Sequence, residues 1–178
     1  MSEEAAVTKK RSAGILLVRV VRGELIILLR RRAANDSWGG AFQVTSHGGY
    51  EPQDGEGYPQ ATVEREMVEE LACARQFAAR LVSRMRPLGQ PIVTAEKEVR
   101  TFYAMTYDSD SADLGPMLRR LEVISINQVD MIKDIFDPLP DGTRPNKRSI
   151  LPLAELRMFG DELAAVRELV RLFRVAQM

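Results

Sequence analysis

The sequence predicts a single α/β (α+β) domain, with strands and helices intermixed along the chain. Two apolar, β-branched runs stand near the N-terminus, and a helix with an apolar stripe follows them. A second amphipathic helix closes the chain. The length of 178 residues, with 45% hydrophobic and 28% charged residues, is ordinary for one globular domain. We therefore expect one compact unit over 13–178, preceded by a flexible tail at 1–12.

Two strands joined by a tight turn are expected first. The runs 14–21 and 24–30 meet at Arg22-Gly23, which is a hairpin signal, and their near-continuous hydrophobicity favours strands covered on both faces. The expected elements that follow are a loop at 34–40, a short strand at 41–45 and a loop at 50–58.

The stretch 59–76 is the most helical part of the chain. Pro59 suits a first helical turn, and Val63, Met67 and Leu71 recur at helical spacing. In the rest of the chain we expect strands near 79–85, 99–107 and 121–126 and loops at 108–116 and 138–146. A short helix is expected near 128–133 and a closing helix at 161–176. That closing helix could form the seam of a homodimer, although packing on its own sheet is the simpler interpretation.

Charge and cysteine content exclude several kinds of site. The 25 basic residues equal the 25 acidic ones, so no overall positive field attracts nucleic acid or an acidic membrane. Cys73 is the only cysteine and His47 the only histidine, which excludes an internal disulfide and a histidine–cysteine metal cluster. Any metal must bind to oxygen ligands. We find no secretory signal and no run long enough to span a bilayer, so a cytoplasmic protein is expected.

Three glutamates converge on one face of the helix at 59–76. At 100° per residue, Glu66, Glu69 and Glu70 fall within an arc of about 100°. Such a group repels itself unless a cation lies there. Upstream, Gly48-Gly49 lets the backbone approach a ligand closely, and Glu56 lies between these glycines and the helix. The combination is typical of metal-assisted chemistry on a phosphate, with a carboxylate accepting a proton from water.

This segment resembles the Nudix hydrolase family, whose sequence box reads Gly, five residues, Glu, seven residues, Arg-Glu-apolar-x-Glu-Glu-x-Gly-apolar. The matching residues are Gly49, Glu56, Arg65, Glu66, Met67, Glu69, Glu70 and Cys73. Six residues rather than five follow the glycine, eight rather than seven follow Glu56, and Ala72 replaces the second box glycine. The approach at 37–49 also looks like the family, and the resemblance covers about 13–135.

The resemblance implies an α/β/α sandwich around a mixed sheet and a pyrophosphohydrolase that acts on a small, nucleotide-derived diphosphate. It implies Mg²⁺ or Mn²⁺ on Glu66, Glu69, Glu70 and the carbonyl of Gly48 or Gly49. The expected catalytic residues are Glu66, Glu69 and Arg65, and Arg65 would join the loop to the helix through Glu56.

Other residues are candidates for contact with the substrate. Arg30 and Arg32 end a strand that points toward the expected site, and Gly48 and His47 lie in the glycine segment. Trp38 and Phe42 could stack on a base or pack in the core. The family often uses one further distal carboxylate, for which the candidates are Glu96, Glu98, Asp110, Asp113 and Glu122.

Two other functions stay open. An isopentenyl diphosphate isomerase shares a glycine-rich approach but needs a catalytic cysteine, and Cys73 lies on the apolar side of the helix. A non-catalytic binding or regulatory module on the same fold would be expected to lack the metal carboxylates, which this sequence retains.

Overall fold

One mixed sheet with helices on both faces makes up the part of the chain that the computed structural model describes, residues 10–107 and 115–177. The strands are β1 (Arg11–Val21), β2 (Glu24–Arg31), β3 (Phe42–Gln43), β4 (Ser46–Gly49), β5 (Arg86–Pro87), β6 (Ile92–Val93), β7 (Val99–Thr106), β8 (Leu121–Ser125), β9 (Lys133–Asp134) and β10 (Arg157–Met158). The helices are α1 (Gln60–Leu71), α2 (Arg75–Val82), α3 (Gly115–Leu118), α4 (Ile126–Val129) and α5 (Gly160–Ala176), with a 3-10 turn at Pro52–Gly57.

The strand β1 is the centre of this sheet. It runs parallel to β7, with Ile15 opposite Tyr103, and antiparallel to β2 and β4. Because β4 pairs with the first half of β1 and β2 with the second half, the two strands share one edge of β1. The strand β2 also pairs with β8 and, at its end, with β3.

The predicted hairpin is confirmed. Arg22 and Gly23 both have positive φ, 51° and 83°, as a type I′ turn requires. Residues 13–18 of β1 are buried throughout, because helices cover both faces of the sheet. The strand begins at Arg11, so residues 11–12 belong to the sheet rather than to the expected tail, and residues 1–9 lie outside the described part.

Alternate residues of β1 contribute to two separate cores. Ile15 and Leu17 face a cluster with α1 and α2, whereas Leu16 and Val18 face a cluster with α5. The helix α5 packs on its own sheet, as the simpler interpretation of the sequence holds. The predicted layering of helix, mixed sheet and helix is therefore confirmed.

The helix predicted over 59–76 ends earlier and is followed by an unexpected one. The helix α1 stops at Leu71, where Ala72 takes the left-handed conformation at φ 52°. The next helix, α2, occupies residues that were predicted to form a strand near 79–85, and this prediction is wrong. Phe77 and Leu81 recur four residues apart on the buried face, but an apolar run this short is ambiguous between helix and strand.

The C-terminal third follows the predicted order. The strand β8 and the short helix α4 stand near their predicted places, and α5 matches the predicted closing helix. The expected loop at 108–116 lies mostly outside the described residues. Across those that are described, we find no helix with the length and apolar content needed to cross a membrane.

Candidate functional site

The helix α1 lies on the sheet through one apolar stripe and presents its glutamates to β4. Val63, Met67 and Leu71 are at most 1% exposed. Glu66 lies directly over Gly48, where a Cβ atom would be 1.9 Å from the carboxylate oxygen Oε1. A residue with any side chain at position 48 would displace Glu66, so the glycine is required by this close approach.

The three glutamates differ in burial, and burial perturbs the pKa of two of them. Burial raises the pKa of Glu66 above its ordinary value; Arg65 acts against this, and the charges of Glu70 and Glu69 add to it. Burial likewise raises the pKa of Glu70, against the opposing effect of Arg30. The side chain of Glu69 is 58% exposed. The structure thus brings all three carboxylates into electrostatic contact, as the spacing predicts.

Arg65 connects the 3-10 turn, β4 and α1. Its Nη2 donates to the carbonyl of Gly49 at 2.7 Å and its Nη1 to Glu66 at 2.6 Å. Its Nε and Nη2 donate to the two carboxylate oxygens of Asp54, both at 3.2 Å. Asp54, rather than the predicted Glu56, is therefore the acidic partner of Arg65; Glu56 is exposed.

The charge of Asp54 is well satisfied. Burial by itself would raise its pKa, but hydrogen bonds from Arg65 and Thr62 outweigh this and hold the pKa below its ordinary value. The same bonds raise the pKa of the Arg65 guanidinium, although burial acts in the opposite direction. Sequence analysis missed Asp54. Five residues separate Gly48 from Asp54, as in the family box when Gly48 is taken as its glycine, but ten rather than seven separate Asp54 from Arg65, so the spacing does not single out Asp54.

Glu70 is surrounded by donors of this chain. Its Oε1 accepts a hydrogen bond from Nη2 of Arg30. Its Oε2 accepts from Oγ of Ser46 at 3.0 Å and from the backbone N–H of His47 at 3.2 Å. Ser46 was not among the predicted site residues, because one serine in a loop-like segment carries no pattern.

Arginines gather around the same end of α1. Arg30 also donates to Gln43 at 2.7 Å, and its Nε is buried without a hydrogen-bond partner. The Nε of Arg32 is likewise buried and unpartnered, and its charge acts on Glu70. Nη1 of Arg120 donates to the backbone carbonyl of Glu70 at 2.9 Å. Arg30 and Arg32 thus lie where the sequence predicts them, and Arg120 is an addition.

The imidazole of His47 is directed away from the glutamates of α1. Since side chains alternate along a strand, Ser46 and Gly48 face α1 and His47 faces α5. The ring stacks on Phe102, its Nε2 lies 3.1 Å from Ser12 Oγ, and its Nδ1 lies 4.0 Å from Glu162 of α5. Burial lowers the pKa of His47 to about 4. Contrary to expectation, its ring lies apart from the substrate-binding candidates; only its backbone N–H reaches the site.

Three other candidates belong to the core. Phe42 is fully buried, and Trp38 packs edge-on against Phe136, with 5.4 Å between ring centroids. The Phe42 ring is closed to a base, and the half-buried Trp38 packs against a small apolar cluster. Cys73 is buried in the cluster beneath α1, and its Sγ contacts the backbone carbonyl of Met67. A catalytic cysteine is therefore not presented to the site, which disfavours the isomerase.

The distal carboxylate is not located. Glu98 pairs with Arg100 and Glu122 with Arg31, at 2.9 and 2.7 Å, and Glu96 is exposed. Asp110 and Asp113 lie outside the described residues. Among the residues that are described, no group of three or more His, Cys, Asp or Glu side chains is arranged to hold a metal ion. In this arrangement Arg30 pairs with Glu70, and Arg65 pairs with Glu66 and Glu69.

Solved structures resemble this architecture across almost the whole chain. The Nudix domain of Shewanella oneidensis NrtR, complexed with ADP ribose, covers 97% of this chain and 93% of its own at 15% identity and a TM-score of 0.54. The chain has the Nudix fold. A Nudix hydrolase from M. smegmatis, RenU, covers 90% of this chain and 86% of its own at 14% identity and a TM-score of 0.50. The longer chain of S. oneidensis NrtR covers 95% of this chain and 64% of its own at 15% identity and a TM-score of 0.55.

The solved structures confirm the Nudix fold that the box residues predict. No protein-family model matches this chain, and the search of curated proteins gives no match. Within the fold, the glycine segment of β4 and the glutamates of α1 meet as the resemblance implies.

Proposed function

We propose that this chain is a divalent-metal-dependent hydrolase that cleaves the diphosphate linkage of a nucleoside diphosphate derivative. The observation that carries the proposal is the meeting of three α1 carboxylates with Arg30 and Arg32 at the end of β2. Carboxylate oxygens suit a divalent cation, and guanidinium groups suit phosphate oxygens. A diphosphate with its counter-cation requires both kinds of group side by side.

The donors of this face are carboxylate and carbonyl oxygens, the kind of ligand that a hard divalent cation binds. Burial is the main cause of the raised pKa of Glu66, and the charges of Glu70 and Glu69 add to it, so a cation among the three would relieve their repulsion. We assign Glu66, Glu69 and Glu70, with the carbonyl of Gly48 or Gly49, as the ligands of Mg²⁺ or Mn²⁺. The metal supplies charge neutralisation of the diphosphate and a lowered pKa of its water.

The chain's own residues would bind and orient the substrate. Arg30 and Arg32 would donate to phosphate oxygens, since both side chains are partly exposed and both charges act on Glu70. Arg65 fixes Glu66 against β4. Glu69 is the most exposed of the three carboxylates and so the most open to water, and Glu66 has a raised pKa that makes it a stronger base.

The first substrate class to test follows from a structural neighbour. The Nudix domain of NrtR binds ADP ribose, and its fold matches this chain over nearly the full length of both. We therefore place ADP-ribose-like compounds first and dinucleotides, nucleotide sugars and nucleoside triphosphates after them.

The test is release of AMP or phosphate from this panel with Mg²⁺, Mn²⁺ or EDTA. We expect cleavage in the metal arms alone. Glu69→Gln should lower turnover at least about 100-fold, whereas Glu64→Gln, on the same helix but outside the acidic face, should leave turnover unchanged. Equal activity in the two variants would contradict the assignment of the acidic face.

A second candidate is a binding module without catalysis. It is favoured by one observation, that arginines already pair with all three glutamates: Arg30 with Glu70, and Arg65 with Glu66 and, at 3.6 Å, with Glu69. In that case calorimetry would detect ADP-ribose binding that persists in EDTA, and no arm of the panel would release product.

A further inference from the structure

We propose that Arg30 couples the binding of the metal to the binding of the diphosphate, by exchanging Glu70 for phosphate. This inference rests on the proposed function, because it concerns the same cation and the same substrate. Its starting point is the ion pair between Arg30 and Glu70 at the edge of the acidic face.

Glu70 has one oxygen that only Arg30 holds. Oε2 accepts from Ser46 and from the backbone of His47, which fixes the carboxylate to β4. Oε1 is bound by Arg30. A cation that takes Oε1 therefore competes with Arg30, since both are positive and bind the same oxygen.

Arg30 regains a free N–H donor on Nη2 when it leaves Glu70. Both of its hydrogen bonds, to Glu70 and to Gln43, come from the single nitrogen Nη2. Gln43 can keep the guanidinium in place, and the N–H of Nη2 that is released from Glu70 then becomes available to a phosphate oxygen. Arg32, whose charge also acts on Glu70, would contribute to the same phosphate site.

The consequence is a change in the role of Arg30 with the state of the site. Without metal, Arg30 neutralises Glu70 and is withheld from the substrate. With metal, Arg30 is free to bind a phosphate oxygen, and binding of either ligand favours the other.

The experiment is a Mn²⁺ titration followed by electron paramagnetic resonance, with wild type, Arg30→Gln, Arg30→Lys and Arg31→Gln. Arg31 is the matched control because it pairs with Glu122 instead. We expect Arg30→Gln to tighten Mn²⁺ binding about tenfold. Arg30→Lys should stay near wild type because it keeps the competing charge, and Arg31→Gln should not change the Kd.

Calorimetry with α,β-methylene ADP-ribose, which is not cleaved, gives the second readout. Arg30→Gln should weaken its binding about tenfold in Mn²⁺ and less than about twofold in EDTA. Equal weakening in both conditions, or no tightening of Mn²⁺, would overturn the inference while metal-dependent cleavage by wild type still upheld the proposed function. Wild-type protein that bound neither Mn²⁺ nor the analogue would overturn both.

Discussion

Arg65 holds three parts of the site together with one guanidinium group. It binds the 3-10 turn through Asp54, β4 through the carbonyl of Gly49, and its own helix through Glu66. Its side chain is only 10% exposed, so its charge depends on these partners rather than on water. Through Arg65, Asp54 therefore helps to fix the position of Glu66 over Gly48.

At this scale we predict that Asp54→Asn loosens the site and Glu56→Gln does not. The amide keeps one acceptor but removes the charge opposite Arg65, so unfolding free energy should fall by about 2 kcal/mol. Denaturant unfolding measures this change. Glu56→Gln is the matched control, and an equal loss in that variant would contradict the assignment of Asp54.

The end of α1 is the clearest case of strain in an element. Ala72 adopts φ 52° and ψ 31°, a left-handed conformation in which glycine is the usual residue. The family box has glycine at this place, and glycine adopts a left-handed conformation without strain. The helix α1 ends here, and the chain turns into α2.

We expect Ala72→Gly to stabilise the protein. Relief of the left-handed strain, about 1–2 kcal/mol, should exceed the greater entropy that glycine gives the unfolded chain, about 0.4–1 kcal/mol. A thermal melt should thus shift upward. Ala79→Gly in α2, also exposed, should instead destabilise by about 1 kcal/mol. A downward shift for Ala72→Gly would show that the strain is not released.

Sequence periodicity located the elements with long apolar patterns and failed for short ones. The strand β1 and the helices α1 and α5 each have eleven or more residues, and all were predicted. The helix α2 has eight residues, of which four are buried, and its composition does not separate helix from strand. Asp54 was missed for a related reason, since loop spacing does not show which of two acids turns inward.

Glu162 affects the whole molecule because it joins α5 to the sheet. Its carboxylate accepts a hydrogen bond from the backbone of Val44 at 2.7 Å and lies next to His47. Burial raises the pKa of Glu162 to about 7, so the folded protein holds a proton that the unfolded chain releases near its ordinary pKa. Folding stability from this group is therefore lost as the pH rises from about 4.5 to 7.

His47 acts with the opposite sign. Its pKa falls to about 4 in the folded protein, so the unfolded chain takes up the proton first and stability falls as the pH drops from 6.5 to 4. The two effects partly cancel in the wild type. A variant of one group is needed to separate them.

Glu162→Gln should become more stable relative to wild type as the pH rises. We expect the difference in unfolding free energy to grow by on the order of 2 kcal/mol between pH 5 and pH 8. Denaturant unfolding across this range measures it. Glu168→Gln, on the solvent side of the same helix, should show no such trend. A constant difference for Glu162→Gln would mean that Glu162 is ionised throughout.

The layered architecture of the whole molecule was predicted through the resemblance to the Nudix family. That resemblance does not predict the short strands β9 and β10. They depend on Arg157, which is fully buried and donates to the backbone carbonyls of Asp137 and Pro138. One arginine among 20 in the sequence gives no sign that it will be the one enclosed.

The alternation along β4 limits how this segment can change in evolution. Ser46 and Gly48 face α1, whereas His47 faces α5. Inserting or deleting one residue would therefore turn each of these side chains to the opposite face of the sheet. Changes in length are tolerable only beyond Gly49, where the chain turns before α1. Sequences of distant relatives should therefore align without gaps across 46–49 and vary in length between Gly49 and the helix.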